Sequence, residues 1–116
     1  MTIYGLSQSS GAQRLLTVER GGQGVVLGIT DRAGGLERVR VMVPTADLLG
    51  SITDPPPGGS TVEGVCPPGG RKVLLDVEVR RNEVQLRAHA GAGEEADVAV
   101  GLDDLQDALE GVVGAG

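Results

Sequence analysis

A chain of 116 residues, 40% of them hydrophobic, is long enough for one hydrophobic core, and with Tyr4 as its only aromatic residue that core consists of Val, Leu, Ile and Ala. The lone cysteine, Cys66, excludes an intrachain disulfide, and no apolar run approaches the roughly 20 residues of a membrane span, so we expect a cytoplasmic protein without one. The net charge of −6 opposes general affinity for nucleic acid, since seven acidic residues and no Lys or Arg follow Arg87.

The first half of the chain alternates apolar and polar residues, which predicts strands with one buried and one exposed face. Residues 1–12 are small and polar and predict a loose arm, whose first few residues could pair as an edge strand. Strands are predicted at residues 13–20, 25–30 and 38–43, with a glycine hairpin at 21–24 and a turn at 33–35. Pro44 then ends strand pairing, Thr45 is the expected N-cap, and residues 46–52 form a short helix.

A connection rich in proline and glycine separates this half from the next. Residues 53–71 contain three consecutive prolines and paired glycines, which predict an extended linker with at most a small edge strand at residues 62–65. Strands are then predicted at residues 72–80, 83–90 and 96–100, with turns at 81–82 and 91–93. A helix over residues 102–111 follows, with Asp103 and Asp104 in its first turn, where the helix dipole favours negative charge.

Both halves therefore predict three strands followed by a helix. We expect a single domain over residues 1–116, in which halves at about 13–52 and 72–113 share one core, because each alone is too small to be stable. The expected fold class is α+β, with antiparallel sheets packed on two helices.

The sequence contains no recognisable set of catalytic or cofactor-binding residues. His89 and Cys66 are the only histidine and cysteine, and they are predicted on an exposed strand face and in a proline-rich loop. Zinc-site spacings and the glycine patterns of nucleotide-binding loops are absent. Asp103, Asp104 and Asp107 lie opposite the apolar stripe of the last helix, which is typical of a solvated face. We expect no enzyme, no cofactor and no metal site; a cleft enzyme that uses these carboxylates is the weakest alternative.

Two sets of outward-facing residues are candidates for binding. The first is apolar and is expected to form contacts in a homo-oligomer or with a protein partner: Val26, Met42 and Leu74. The second is basic and could hold the phosphate backbone of single-stranded nucleic acid: Arg38, Arg40, Arg80 and Arg87. Single-strand binders normally add aromatic side chains for base stacking, and this chain has only Tyr4, so ordinary surface arginines are the preferred interpretation.

The central segment VVLGITDRAGGLERVRVMVPTADLLGSITDPPPGGSTVEGVCP resembles the SsgA-like proteins, small regulators of filamentous actinobacteria. Two alternating strands lead to a helix with Asp47-Leu48-Leu49, a Pro/Gly-rich connection follows at residues 55–59, and Val62 and Pro67 come next. The resemblance implies a fold similar to that of Whirly-type single-stranded nucleic-acid binders, oligomeric assembly, and a role in septum placement and sporulation. It transfers no binding residue to this chain.

The leading hypothesis is a non-enzymatic regulatory adaptor that acts by protein–protein contact as a homo-oligomer, with a role in cell division or sporulation implied by the resemblance. The alternative is a single-stranded nucleic-acid-binding protein that uses the four arginines.

Overall fold

The computed structural model describes residues 1–22, 24–67, 70–90 and 93–114, and in these residues it shows eight strands and two helices. The strands are β1 (Thr2–Leu6), β2 (Gln13–Arg20), β3 (Gly24–Asp31), β4 (Glu37–Pro44), β5 (Ser60–Cys66), β6 (Arg71–Arg80), β7 (Glu83–Ala90) and β8 (Gly93–Gly101). The helices are α1 (Thr45–Thr53), between β4 and β5, and α2 (Leu102–Gly114), after β8.

The eight strands form one closed antiparallel barrel, in which each strand pairs with the next along the chain and β1 pairs with β8. The expected α+β fold, with Whirly-like antiparallel sheets packed on two helices, is therefore wrong. The alternating strands do not form open sheets against helices, because two further strands, β1 and β5, join the sheet edges into a continuous barrel.

Inward-facing aliphatic side chains fill the barrel. Each strand contributes at least one buried residue, for example Ile3, Leu16, Leu27, Val41, Val62, Leu75, Leu86 and Val98. The even-numbered strands all finish at the same end, and both helices lie there because α1 follows β4 directly and α2 follows β8. Leu48, Ile52, Leu105 and Leu109 complete the core from the helices, and none of them is more than 2% exposed.

The order of four strands and a helix occurs twice along the chain, and the predicted order of three strands and a helix is short by one strand in each half. Residues 1–12 were expected as a loose arm whose first few residues could pair as an edge strand; β1 occupies Thr2–Leu6, pairs with β2 over its whole length and also meets β8, so it is not at a sheet edge. Residues 53–71 were expected as a linker with at most a small edge strand at residues 62–65; β5 is longer, occupies Ser60–Cys66 and pairs with β6 over its whole length. Small and polar residues in both strands, among them Gly5 and Gly64, are the reason that the sequence predicts only short edge strands there.

Each half begins with a strand that crosses the last strand of the other half. In the described chain, β1 meets β8 through the pair Leu6 and Ala99, and β5 meets β4 through Val65 and Met42. We call these crossings the β1–β8 seam and the β4–β5 seam. A Cβ atom on Gly5 would lie 2.4 Å from the Ala99 carbonyl oxygen, and one on Gly64 would lie 2.6 Å from the Met42 carbonyl oxygen. Both seams therefore require glycine for the close approach of two backbones.

Helix α1 begins one residue earlier than predicted. Pro44, with φ −61° and ψ 132°, occupies the N-cap position, so the prediction of Thr45 as N-cap is wrong; strand β4 passes straight into the helix. Three predicted connections lie partly outside the described residues: residue 23 of the hairpin at 21–24, residues 68–69 of the linker at 53–71, and residues 91–92 of the turn at 91–93.

Candidate protein-contact surface

A row of five side chains crosses the outer face of the barrel at the β4–β5 seam. Neighbours in the row are partners in the strand register: Glu19 with Val26, Val26 with Met42, Met42 with Val65, and Val65 with Lys72. Partners in an antiparallel register point to the same face, so the five side chains stand side by side. The three apolar members are half-buried, and the two charged ends are exposed. We call this set the seam row.

A groove with a volume of about 540 Å³ lies beside the seam row. The backbone at Gly24 and Gly64 lines it together with Met42, Val65 and Lys72. The groove forms where β4 and β5 cross and then diverge, because a close crossing leaves a depression on either side of the contact. The surface is therefore apolar at its centre, locally concave, and charged at its rim, which is the usual pattern of a protein interface.

The structure brings together two of the three apolar residues expected at a contact. Val26 and Met42 are register partners. Val26 Cγ2 and Met42 Sδ would each lie 3.0 Å from a Cβ atom added to Gly21, so the two side chains cover the same glycine. Leu74 is half-buried on β6, where its partners are Glu63 and His89, so it lies beside the row and not in it.

Three members of the seam row were not predicted from the sequence as contact residues. Val65 lies in the segment expected as a linker, and the charged ends, Glu19 and Lys72, look like ordinary surface residues. Only the register of five consecutive strands places them beside Val26 and Met42.

The arginines proposed for nucleic-acid binding do not form one surface. On β4, Arg38 Nε and Nη2 each lie 2.7 Å from Asp31 Oδ2, and Arg40 Nη2 donates to Glu37 Oε2 at 2.8 Å. Both side chains are nearly half exposed, and both already have an acidic partner. The Glu37 carboxylate raises the pKa of Arg40 by hydrogen bonding and by its charge.

The other two arginines lie elsewhere on the barrel. Arg80 ends β6 at the helix-bearing end and contacts Glu78. Arg87 lies on β7, three strands from Arg38 and Arg40, and its register partners are Asp76 and Asp97. The acidic neighbours interrupt the positive charge that a phosphate backbone would need.

A buried ionic cluster closes the β1–β8 seam. The Asp97 side chain accepts hydrogen bonds from Ser7 Oγ (2.8 Å), Ser9 Oγ (2.7 Å), the backbone N–H groups of Gln8 (2.8 Å) and Ser9 (3.2 Å), and Arg14 Nη1 (3.2 Å). Arg14 also donates to the Asp97 carbonyl oxygen at 2.7 Å, and both residues are more than 90% buried. The cluster therefore ties the turn after β1 to β8 where the strands separate.

Two opposing effects set the pKa of Asp97. Burial raises it, while hydrogen bonds from Ser9 and Ser7 and from the backbone of Ser9 and Gln8 lower it. The hydrogen bonds prevail, and the pKa lies below its ordinary value of 3.8. Asp97 is thus held as a carboxylate by saturated contacts, which suits a structural role better than proton transfer.

Asp31 extends this cluster to the end of the barrel opposite the helices. Arg14 Nε donates to Asp31 Oδ1 at 3.2 Å, and Arg38 contacts the other oxygen. The Arg38 hydrogen bond is the main reason that the pKa of Asp31 is lowered. The register of β3 and β4 shifts between Ile29 and Thr30, and this bulge directs Arg38 toward Asp31.

The remaining candidates for chemistry are dispersed. A polar pocket of about 230 Å³ on the outer face of β5–β8 includes Asp76 in its lining, and Asp76 accepts from Thr61 Oγ1 at 2.8 Å and lies 3.1 Å from His89 Nε2. Asp103, Asp104 and Asp107 are exposed on α2. Among the described residues, no three His, Cys, Asp or Glu side chains meet as metal ligands.

Comparison with protein-family models, with curated proteins and with solved structures finds no match to this chain. Neither helix in the described residues is long and apolar enough to cross a membrane. The resemblance to the SsgA-like proteins therefore stays a prediction.

Proposed function

We propose that this chain is a non-enzymatic binding protein that regulates by protein–protein contact, with the seam row and its groove as the contact surface. The observation that carries the proposal is the strand register, which places Val26, Met42 and Val65 together on the outside of the barrel. Other aliphatic side chains fill the barrel interior, so these three are not needed for the core. Apolar side chains that project outward in a contiguous group gain by being covered.

The chemistry of the surface supports contact over catalysis. Met42 at its centre is flexible and polarizable, which suits an adaptable interface. Among the described residues, the buried carboxylate–guanidinium contacts of Arg14 with Asp31 and Asp97 belong to the cluster at the other seam, where neighbouring donors occupy Asp97. A cytoplasmic location is part of this proposal, because a single free cysteine suits a reducing compartment. A role in cell division or sporulation follows only from the resemblance and stays a prediction.

Site-specific photocrosslinking tests the proposal. A photoreactive amino acid at Val65 is expected to yield covalent adducts with protein when the chain is expressed in cells. The control places the same group at Leu36, an apolar residue that is 60% exposed in the turn between β3 and β4 and is remote from the seam row in register. Adducts that form at Val65 and not at Leu36 support the contact surface. Equal yields at the two positions, or none at either, contradict it.

A further inference from the structure

The seam row has a valine on each side of Met42 and opposite charges at its two ends. From β2 to β6 it runs acid, valine, methionine, valine, base: Glu19, Val26, Met42, Val65 and Lys72. Neighbouring strands are about 4.8 Å apart, so the valines lie at about equal distances from Met42 and the charged residues at about twice that distance. A twofold rotation about an axis through Met42 therefore exchanges the two valines and exchanges the acid with the base.

The geometry points to a second copy of this chain as the occupant of the seam row, bound about a twofold axis that passes beside Met42. In this homodimer, Val26 of each subunit faces Val65 of the other, and Glu19 of each faces Lys72 of the other. Twofold interfaces require a surface that is complementary to itself, and opposite charges at equal distances from the axis satisfy that requirement. The inference rests on the proposed function, since it names the partner for the same surface.

The local shape supports this arrangement. Rotation about the axis places the two Met42 side chains next to each other and brings together the two grooves, each of about 540 Å³ and each lined by Met42. A methionine can fill an irregular apolar groove because its side chain is unbranched and adaptable. Within one chain Lys72 Nζ lies 3.0 Å from Glu63 Oε1, but both side chains are about two-thirds exposed or more, so this surface pair is weak and can exchange for the contact across the dimer.

Sedimentation velocity over a concentration series at low salt measures the dimer. We expect the parent chain to dimerise and Met42→Glu to raise the dissociation constant about 100-fold, because it places two like charges at the axis. Leu36→Glu, the same kind of change on an exposed apolar residue outside the row, should leave the constant unchanged.

Charge reversal tests the axis itself. Glu19→Lys and Lys72→Glu should each weaken self-association, because each places like charges opposite one another twice. An equimolar mixture of the two variants should recover the dimer, because both charge contacts are then of opposite sign. Glu110→Lys, on the exposed face of α2, is the matched control and should behave as the parent does. Glu19 and Lys72 are both exposed, so their charge-reversal variants are expected to fold, and they test the inference even if Met42→Glu fails to fold.

The inference is overturned if the parent remains monomeric at every concentration, or if the mixture associates no better than either variant alone. Photocrosslinking separates this failure from failure of the proposed function. A monomer whose Val65 position crosslinks to a different protein rejects the homodimer and keeps the contact surface, whereas a monomer without Val65-specific adducts rejects both.

Discussion

Replacing the buried Asp97 with asparagine should destabilise the barrel more than the same change at an exposed aspartate. The carboxylate receives five hydrogen bonds, and its neighbour Arg14 has a side chain only 9% exposed. In Asp97→Asn one oxygen becomes an amide group that faces donors, and Arg14 loses one of its two acidic partners. Breaking a buried ion pair costs about 3–5 kcal/mol; because Asp31 and the Asp97 carbonyl remain, we expect the lower end, about 3 kcal/mol.

Urea unfolding followed by far-UV circular dichroism measures this loss, since the chain has no tryptophan and its single tyrosine is 69% exposed. The matched control is Asp76→Asn, the same chemical change on a side chain that is 44% exposed, with an expected cost below about 1 kcal/mol. A cost for Asp97→Asn within about 0.5 kcal/mol of zero would refute the reasoning that the cluster holds the seam closed.

The pH dependence of the free energy of unfolding tests the role of Asp97 independently. The pKa of Asp97 in the folded chain is lower than the ordinary value of 3.8, so its contribution is present above that value and is lost as pH falls through the lowered pKa. The parent should therefore lose part of its unfolding free energy as the pH falls below about 4, and Asp97→Asn should lose less over the same range. An equal decline in the two proteins would show that Asp97 titrates normally in the folded state.

Three further outcomes are expected from other parts of the molecule. Gly64→Ala should lower the free energy of unfolding in urea by about 1–3 kcal/mol, because the added Cβ would overlap a backbone oxygen. The control Gly22→Ala has no atom within 4 Å of the new Cβ and should lower it by less than about 0.5 kcal/mol. Equal losses for the two variants would show that the seam can relax. Leu105→Ala should cost about 2–5 kcal/mol, because the side chain is fully buried under the barrel end, and a smaller loss would mean that α2 is loosely attached. A fluorescent single-stranded oligonucleotide is expected not to bind through Arg38 and Arg40, because acidic residues already pair with both arginines. Tight binding with a steep salt slope that is lost in Arg38→Ala with Arg40→Ala would restore the nucleic-acid alternative.

Strands with strict alternation could be predicted closely from the sequence. The prediction of residues 13–20 is confirmed by β2 and that of residues 83–90 by β7, since each places branched aliphatic residues on alternate positions. The strands β1 and β5 could be predicted only as short edge strands, because serine, threonine and glycine weaken the alternation and prolines flank β5. Those two strands decide whether the sheets stay open or close, so assigning them to sheet edges led to the wrong fold class.

The candidate surface was predictable in part. Outward-facing apolar residues on recognised strands, Val26 and Met42, could be read from alternation alone, whereas Val65 required knowledge of β5 and its pairing. The cluster at Asp97 joins residues from β2 and β8 with the turn after β1, a contact between distant parts of the chain that no local pattern encodes. Its one trace in the sequence is an acid in the middle of the apolar run at residues 96–100.

Because each half ends in a helix at the same end of the barrel, the positions after α1 and after α2 are equivalent in the fold. The segment after α1 leads into β5, and in the corresponding place Met1, before β1, lines the same cavity as Gly111 and Val112 of α2. A short peptide link there would join α2 to β1 as residues 54–59 join α1 to β5, with the strand pairings of the described residues kept. A circular permutant that begins at Ser60 and ends after Thr53 would then contain the same barrel, with the two halves exchanged in order of synthesis.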